Sequence, residues 1–509
     1  MNLSHRPGWI APLLIGSALV AAASAQDQTP KLTVDWNKVI AVSKTTPTLQ
    51  VVVNPPLRRG HPVHDGAFKS LKDLQADYVR YVPWLPYPRL GVAELEPPKD
   101  GKTSWDFSLI DPMTIDFLEA TKGHPVVLNF STIPQWMVKT DKPVAYPADA
   151  NQPVWDYTQG NDFRDPSFKE VADYYARLLA WYTQGGFTDE LGKRHESGHR
   201  FKISHWEVLN EPDLERNWTP EAYTRLYDAV VEAMRKVEPA TKFGGISLAH
   251  PPLYPLFFEY FLNPKNHKPG IPLDFITYHF YAIPAIDEGP KMEPHVFFAQ
   301  ADAFLNMVRY VEVIRKRLSP TTQTMINEVG TISSDDLKQF APGHEAEPIP
   351  PSYWNLSGAL YAYLFSDMSR QGIDVVGESQ LVGYPTQFPS VSMVEWQGGQ
   401  PNPRLWVLKL LKDSFGPGDR LVDMQLGTPS SPFGRTAFHA QGFVTRGGKR
   451  RLLLVSKRAG AIELLVPGAS GGQVDYVDET TGFGPPGSRR IDGEKVTLNG
   501  YGVAVLTLP

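Results

Sequence analysis

From about residue 48 to residue 414 the apolar positions of the chain follow two alternating rhythms. Short, nearly continuous apolar runs give way to longer windows in which apolar side chains recur every three or four positions, the signatures of buried strands and amphipathic helices. Eight runs predict strands, at residues 50–54, 78–82, 125–130, 204–210, 242–247, 275–280, 324–328 and 375–378. Their apolar content is too continuous for a sheet wet on one face, so a parallel sheet covered on both sides is expected. Helical windows lie between them at 67–75, 108–121, 255–262, 295–318, 354–371 and 403–415. Two more carry start signals. Asp165-Pro166 precedes a stripe of Phe168, Val171, Tyr175, Leu178, Leu179 and Tyr182; Thr219-Pro220 precedes Tyr223, Leu226, Tyr227, Val230, Met234 and Val237. In each, a polar N-cap stands before a proline at the first helical position. Strand and helix alternating eight times predict an α/β fold, a (β/α)8 TIM barrel over residues 48–416.

After Gly416-Pro417-Gly418 the helical stripes vanish. Runs at 451–456, 462–466 and 503–508, separated by Gly and Pro clusters, predict an accessory C-terminal β-sandwich over 417–509. The strand-like stretch 31–40, within an N-terminal region 26–47, has no partner nearby and is expected to join that β unit. The basic run from Arg446 to Arg451 surrounds Gly447-Gly448 and reads as a solvated hairpin turn.

Residues 1–25 place Arg6 ahead of an apolar run and end in Ala23-Ser24-Ala25, the pattern of a cleaved secretory signal. Export to the periplasm or the outside is expected, with no later membrane span. The chain has no cysteine, which excludes disulfides, thiol nucleophiles and thiolate metal sites. Its formal charge of −5 and its scattered basic residues do not suit nucleic acid. No His-Glu-x-x-His or histidine cluster occurs, so neither metal nor cofactor is implied.

Chemistry concentrates where two predicted strands end. Ser204-His205-Trp206-Glu207-Val208-Leu209-Asn210-Glu211-Pro212 stops at a proline that cannot donate to a ladder, which leaves Asn210 and Glu211 at the carboxyl end of the fourth strand. Glu328 ends the seventh. Barrel enzymes keep their chemistry at this face, and two carboxyl groups facing each other across its mouth suit glycoside hydrolysis, with Glu211 and Glu328 the catalytic candidates. Trp136 and Trp396 are candidates for an aromatic platform under a sugar ring, or else core filling. Arg80, inside the second strand, needs a carboxylate partner if buried, Glu328 or Glu207.

The stretch Trp206-Glu207-Val208-Leu209-Asn210-Glu211-Pro212 resembles the acid/base motif of clan A retaining glycoside hydrolases. With Glu328 on the seventh strand and Asp274-Phe275-Ile276-Thr277-Tyr278-His279-Phe280-Tyr281 on the sixth, the chain is most similar to glycoside hydrolase family 39, which contains β-xylosidases and α-L-iduronidases. The resemblance implies Glu211 as acid/base, Glu328 as nucleophile paired with Arg80, and Asn210 as holder of the hydroxyl beside the anomeric carbon. It also implies that His279 and Tyr281 are ring donors near the nucleophile or the sugar. The expected activity is retaining hydrolysis of β-xylosides or a related glycoside. An endo-acting polysaccharide hydrolase and a non-catalytic carbohydrate-binding barrel remain alternatives. The Pro-rich aromatic loop Pro83-Trp84-Leu85-Pro86-Tyr87-Pro88 and the segment 331–351 are unlike a familiar xylosidase.

Overall fold

A computed structural model describes residues 29–140, 145–155, 160, 162–285, 291–339, 341, 344–427 and 437–509. The expected signal at 1–25 lies outside these residues. Eight parallel strands close a barrel in the order Thr46–Val52, Val79–Val82, Val126–Leu128, His205–Glu207, Lys242–Leu248, Phe275–Ala282, Gln323–Thr331 and Val375–Glu378, the last pairing back onto the first. Side chains such as Leu49, Val79, Trp206, Phe243, Ile276 and Ile326 are buried, as a sheet covered on both faces requires.

Several strand limits differ from expectation, for local reasons. The fourth strand is shorter than 204–210 because Leu209 (φ 60°) and Glu211 (φ 40°) take left-handed backbone, which breaks the ladder. The seventh does not end at Glu328: Val329, Gly330 and Thr331 go on to pair with Phe280, Tyr281 and Ala282. The first begins at Thr46, because Thr46 to Leu49 pair with Val375 to Glu378. The helix expected just after Pro166 starts at Lys169, since Phe168 is left-handed (φ 61°), yet Asp165 still caps it by accepting the Glu170 N–H at 2.9 Å. A short polar hairpin, Gly186–Thr188 with Arg194–Glu196, carried no apolar signal and was not expected.

The C-terminal unit is one continuous mixed sheet of nine strands, and it recruits the N-terminal strand Lys31–Val42, which lies antiparallel to Arg420–Gly427. The sheet folds over itself, so that Leu452 and Leu454 pack with Ile462, Leu464, Val496 and Leu498 in a core of their own. Phe438–Val444 and Arg450–Ser456 form the hairpin expected around Gly447-Gly448, with Gly448 at φ 79°. A second seam, including Leu421, Phe443, Leu453 and Val503, joins the barrel's helices. No helix among the described residues is long and apolar enough to cross a membrane.

The eighth strand is locked from outside by Arg404 in helix Pro403–Ser414. Its Nε donates to Glu378 Oε1 at 2.9 Å, and its Nη2 donates to the Ser379 carbonyl, all of it fully buried. Burial pushes Glu378 up to about 7 against the pull of Arg404. Arg404→Met is therefore expected to lower stability by about 3–5 kcal/mol at pH 8, where it strands a buried carboxylate. The deficit should grow as pH rises, because an unpaired buried carboxyl must keep its proton. Urea unfolding at pH 6 and pH 8 checks both statements; a loss below about 1 kcal/mol at both would contradict them.

Candidate active site

Side chains from all eight barrel strands, or from the residues just beyond them, meet at the carboxyl face around Arg80. Arg80 leaves the second strand into the barrel interior and is fully buried. Its Nε and Nη2 lie 2.6 Å from Glu207 Oε2, and its Nη1 donates to Gln50 Oε1 at 2.7 Å and to Glu328 Oε1. Nη2 also donates to Asn210 Oδ1 at 2.6 Å and to Ser247 Oγ at 3.1 Å. Both partners considered from the sequence are thus present at once. Two carboxylates and three neutral acceptors saturate the guanidinium fork, the condition under which a buried arginine is tolerated. Glu207 is itself held by the Asn129 amide and by Asn327 Nδ2 at 2.9 Å.

Asn210 and Glu211 sit where the fourth strand breaks up. The Glu211 N–H donates to the Ser247 carbonyl at 3.0 Å, and Ser247 is itself left-handed (φ 56°). Three non-glycine residues at positive φ within one strand-end pair mark local strain, each of order 1–3 kcal/mol, that the surrounding barrel must hold. His279, on the sixth strand, bridges the two glutamates. Its Nδ1 is 2.8 Å from Glu211 Oε1, while its Nε2 is 3.0 Å from Ser247 Oγ and 3.5 Å from Glu328 Oε1. Tyr281 OH donates to Glu328 Oε2 at 2.6 Å and lies 2.6 Å from Ser379 Oγ, which Gln50 Nε2 also reaches at 2.6 Å.

These surroundings push the two glutamates apart. Burial raises Glu211, and the charge of Glu328 adds to that, while His279 pulls the other way without reversing it. Burial would raise Glu328 too, but His279, Arg80 and the Tyr281 hydroxyl together carry it below the usual carboxylate range. Burial lowers the His279 imidazole, and the neighbouring Glu328 and Glu211 outweigh that, so its proton is held more tightly than usual. The outcome is one carboxyl that holds its proton more tightly than an ordinary glutamate beside one that holds it less tightly. Glu211, His279 and Glu328 each offer a ligand atom within 4.8 Å of the others, a set that could hold a metal ion. Arg80, however, already occupies Glu328 Oε1, and its charge opposes a second cation there.

Above this floor lies a cavity of about 550 Å³, within the range typical of small-ligand sites. Of the expected site residues, Asn210, Glu211, Tyr281 and Glu328 line it, while Arg80 and His279 support it from below. Trp136 and Trp396 are corrections. Trp136 donates its indole N–H to the Glu94 carbonyl at 2.9 Å and carries the Arg164 guanidinium on its ring; Trp396 packs edge-on to Tyr384. Neither lines the cavity, because each serves to brace loops. The aromatic walls are instead Trp84, Trp155 and Phe388. Gln50, Ser247 and Ser379 were missed, since single polar residues at strand ends look ordinary in sequence. Glu215 was missed too: its Oε1 accepts from Trp84 Nε1 at 2.6 Å and Asn210 Nδ2 at 2.8 Å, and burial followed by the charge of Glu211 pushes it up to about 8. Its spacing of four from Glu211 was the available signal.

Residues 192–336 match the family model of glycosyl hydrolases family 39, a stretch that runs from before the fourth strand to beyond the seventh and contains both glutamates. Comparison with curated proteins finds no match. Among solved structures, the chain is similar to a family 51 alpha-L-arabinofuranosidase from Bifidobacterium longum, with 15% identity, 94% of this chain and 100% of that one covered, and a TM-score of 0.63. A glucosidase from Croceicoccus marinus (17%, 94% and 99%, TM-score 0.57) and a GH30 endoxylanase from Clostridium papyrosolvens (12%, 94% and 99%, TM-score 0.56) are similar as well. At these identities the likeness is one of fold. Barrel, glutamate pair and family match together define a glycoside hydrolase of the clan A type. Within that class the family match is to family 39, and it covers 145 residues (336 − 192 + 1) of the 509.

Because the Tyr281 hydroxyl helps keep Glu328 ionised, Tyr281→Phe is expected to move the acidic limb of the kcat/KM profile to higher pH, by about one unit or less. The basic limb should stay closer to its original position. A pH–rate profile of the two proteins checks this, and an unmoved acidic limb would contradict it.

Proposed function

We propose that this protein is an exported retaining O-glycoside hydrolase that cleaves β-xylosides or a related neutral glycoside by double displacement. The observation that carries the reading is the spacing of the glutamates: one oxygen of each lies within 4.8 Å of the other. Retaining enzymes hold their carboxyl groups about 5–5.5 Å apart, whereas inverting enzymes need about 6.5–9.5 Å to admit a water between them. In the first step Glu211 gives its proton to the glycosidic oxygen, the bond from that oxygen to the anomeric carbon breaks, and a Glu328 oxygen bonds to the carbon. In the second step Glu211, now ionised, takes a proton from water, whose oxygen displaces Glu328. In this reading Asn210 holds the hydroxyl beside the anomeric carbon, a role supported by the fixing of its carbonyl oxygen by Arg80 and Ser247.

A neutral glycone is favoured over a uronide because, among the described residues, no Lys or Arg lines the cavity, while Glu211, Glu215 and Glu328 do. Action at a chain end is favoured over cutting within a polymer because the sugar site is walled by Trp84, Trp155 and Phe388. Export rests on the first 25 residues alone, and N-terminal sequencing of the secreted protein should begin at Gln26.

The direct test is the anomeric form of the first sugar released from an aryl β-xyloside, followed by proton NMR. Retention is expected, and inverted product would replace the two-step scheme by direct attack of water. An acid matters most where the leaving group is poor, so Glu211→Gln is expected to lose about 10²–10⁴-fold in kcat/KM on alkyl glycosides and far less on activated aryl ones. Equal losses on both would remove Glu211 from the acid/base role.

A further inference from the structure

The wall next to the proton donor differs from the rest of the site. Glu211 bonds to Ser247 on the fifth strand and His279 on the sixth and opens the loop after the fourth, so the loops that follow these three strands are the ones nearest its proton. Leu214 stands three residues after Glu211 on the first of these loops. Ala249 and His250 stand on the second, which is tied to the first by the Ala249 and His250 N–H groups donating to Asp213 at 3.0 and 2.9 Å. Ile283 stands on the third. All four line the cavity. Leu214 is 58% exposed and Ile283 36% exposed, so two aliphatic side chains are held in water at the mouth. Leu337 and Ile332 extend the apolar lining inward.

On the basis of the glycosidase reading above, we infer that the leaving group is apolar: the protein hydrolyses glycosides of an alkyl, aryl or terpenoid-like alcohol in preference to linkages between sugars. A sugar ring held against Leu214, Ala249 and Ile283 would find, among the described residues on this wall, only His250 and Glu215 as polar side chains, and Glu215 Oε1 already accepts from Trp84 and Asn210. The ring's remaining hydroxyls would lose water without gaining partners, which costs binding free energy for each one left unpaired. An apolar alcohol instead covers Leu214 and Ile283, and removing that apolar surface from water favours binding in proportion to its area. The bond broken is the one already assigned, between the anomeric carbon and the glycosidic oxygen. The alcohol leaves with the proton from Glu211.

The test compares methyl and n-octyl glycosides of whichever glycone an aryl glycoside panel shows to be cleaved, since the two alcohols differ in apolar length and hardly in leaving-group chemistry. The octyl glycoside is expected to have a kcat/KM at least about tenfold above the methyl glycoside, which is roughly what burying two methylene groups supplies. In Leu214→Ser and in Ile283→Ser the octyl-to-methyl ratio should fall toward one. Both positions are exposed, so the variants retain the core packing. A ratio near one in the unmutated protein, or a ratio unchanged in both variants, overturns the inference and leaves the glycosidase reading intact. Failure to cleave any member of the aryl panel overturns the glycosidase reading itself.

Discussion

A guanidinium enclosed by a barrel has no water to turn to, and every N–H it carries must find an acceptor on the protein. Arg80 meets that condition by drawing together Gln50, Glu207, Asn210, Ser247 and Glu328, from the first, fourth, fifth and seventh strands or the residues just beyond them. The positions of the catalytic candidates follow from this. Glu328 is held by its Oε1, which leaves Oε2 for Tyr281, and Asn210 is turned so that its carbonyl oxygen faces Arg80 while its amide reaches Glu215. Removing the guanidinium would leave Glu207 and Glu328 as buried carboxylates, which makes this ion pair a requirement of the site more than a source of net stability.

The same arrangement separates two chemically identical side chains. Arg80 touches Glu328 and not Glu211, so Glu328 receives the pull of both His279 and Arg80, while on Glu211 burial and the charge of Glu328 outweigh His279 alone. His279 contacts both, and its charge pulls both carboxyls down. Differential environment, with no difference in residue type, raises one carboxyl and lowers the other, the direction that acid/base chemistry at a glycosidic bond requires.

Much of this was legible in the sequence. Eight apolar runs with helical windows between them identify the barrel, because burial on both faces leaves a continuous signal. That Asn210 and Glu211 lie past the carboxyl end of the fourth strand is legible from the apolar run and the proline that follows it. What could not be read depends on long-range packing. Trp136 and Trp396 have the composition of a sugar platform but are consumed by Glu94, Arg164 and Tyr384, partners remote in sequence. Trp155 and Phe388 lie in loop regions where periodicity carries no information, and Gln50, Ser247 and Ser379 are individually unremarkable until the barrel closes around Arg80. The short fourth strand was misjudged because left-handed backbone at Leu209 and Glu211, neither a glycine, has no compositional mark.

The central claim is that the barrel holds Glu211 protonated and Glu328 ionised at the same pH. The measurement that tests it most directly is carboxyl titration by carbon NMR with side-chain-labelled glutamate, the two signals assigned by their loss in Glu211→Gln and Glu328→Gln. The account predicts a Glu328 signal that titrates below an ordinary glutamate and a Glu211 signal that titrates above it. Two signals titrating together in the ordinary range, or the reverse order, would contradict it.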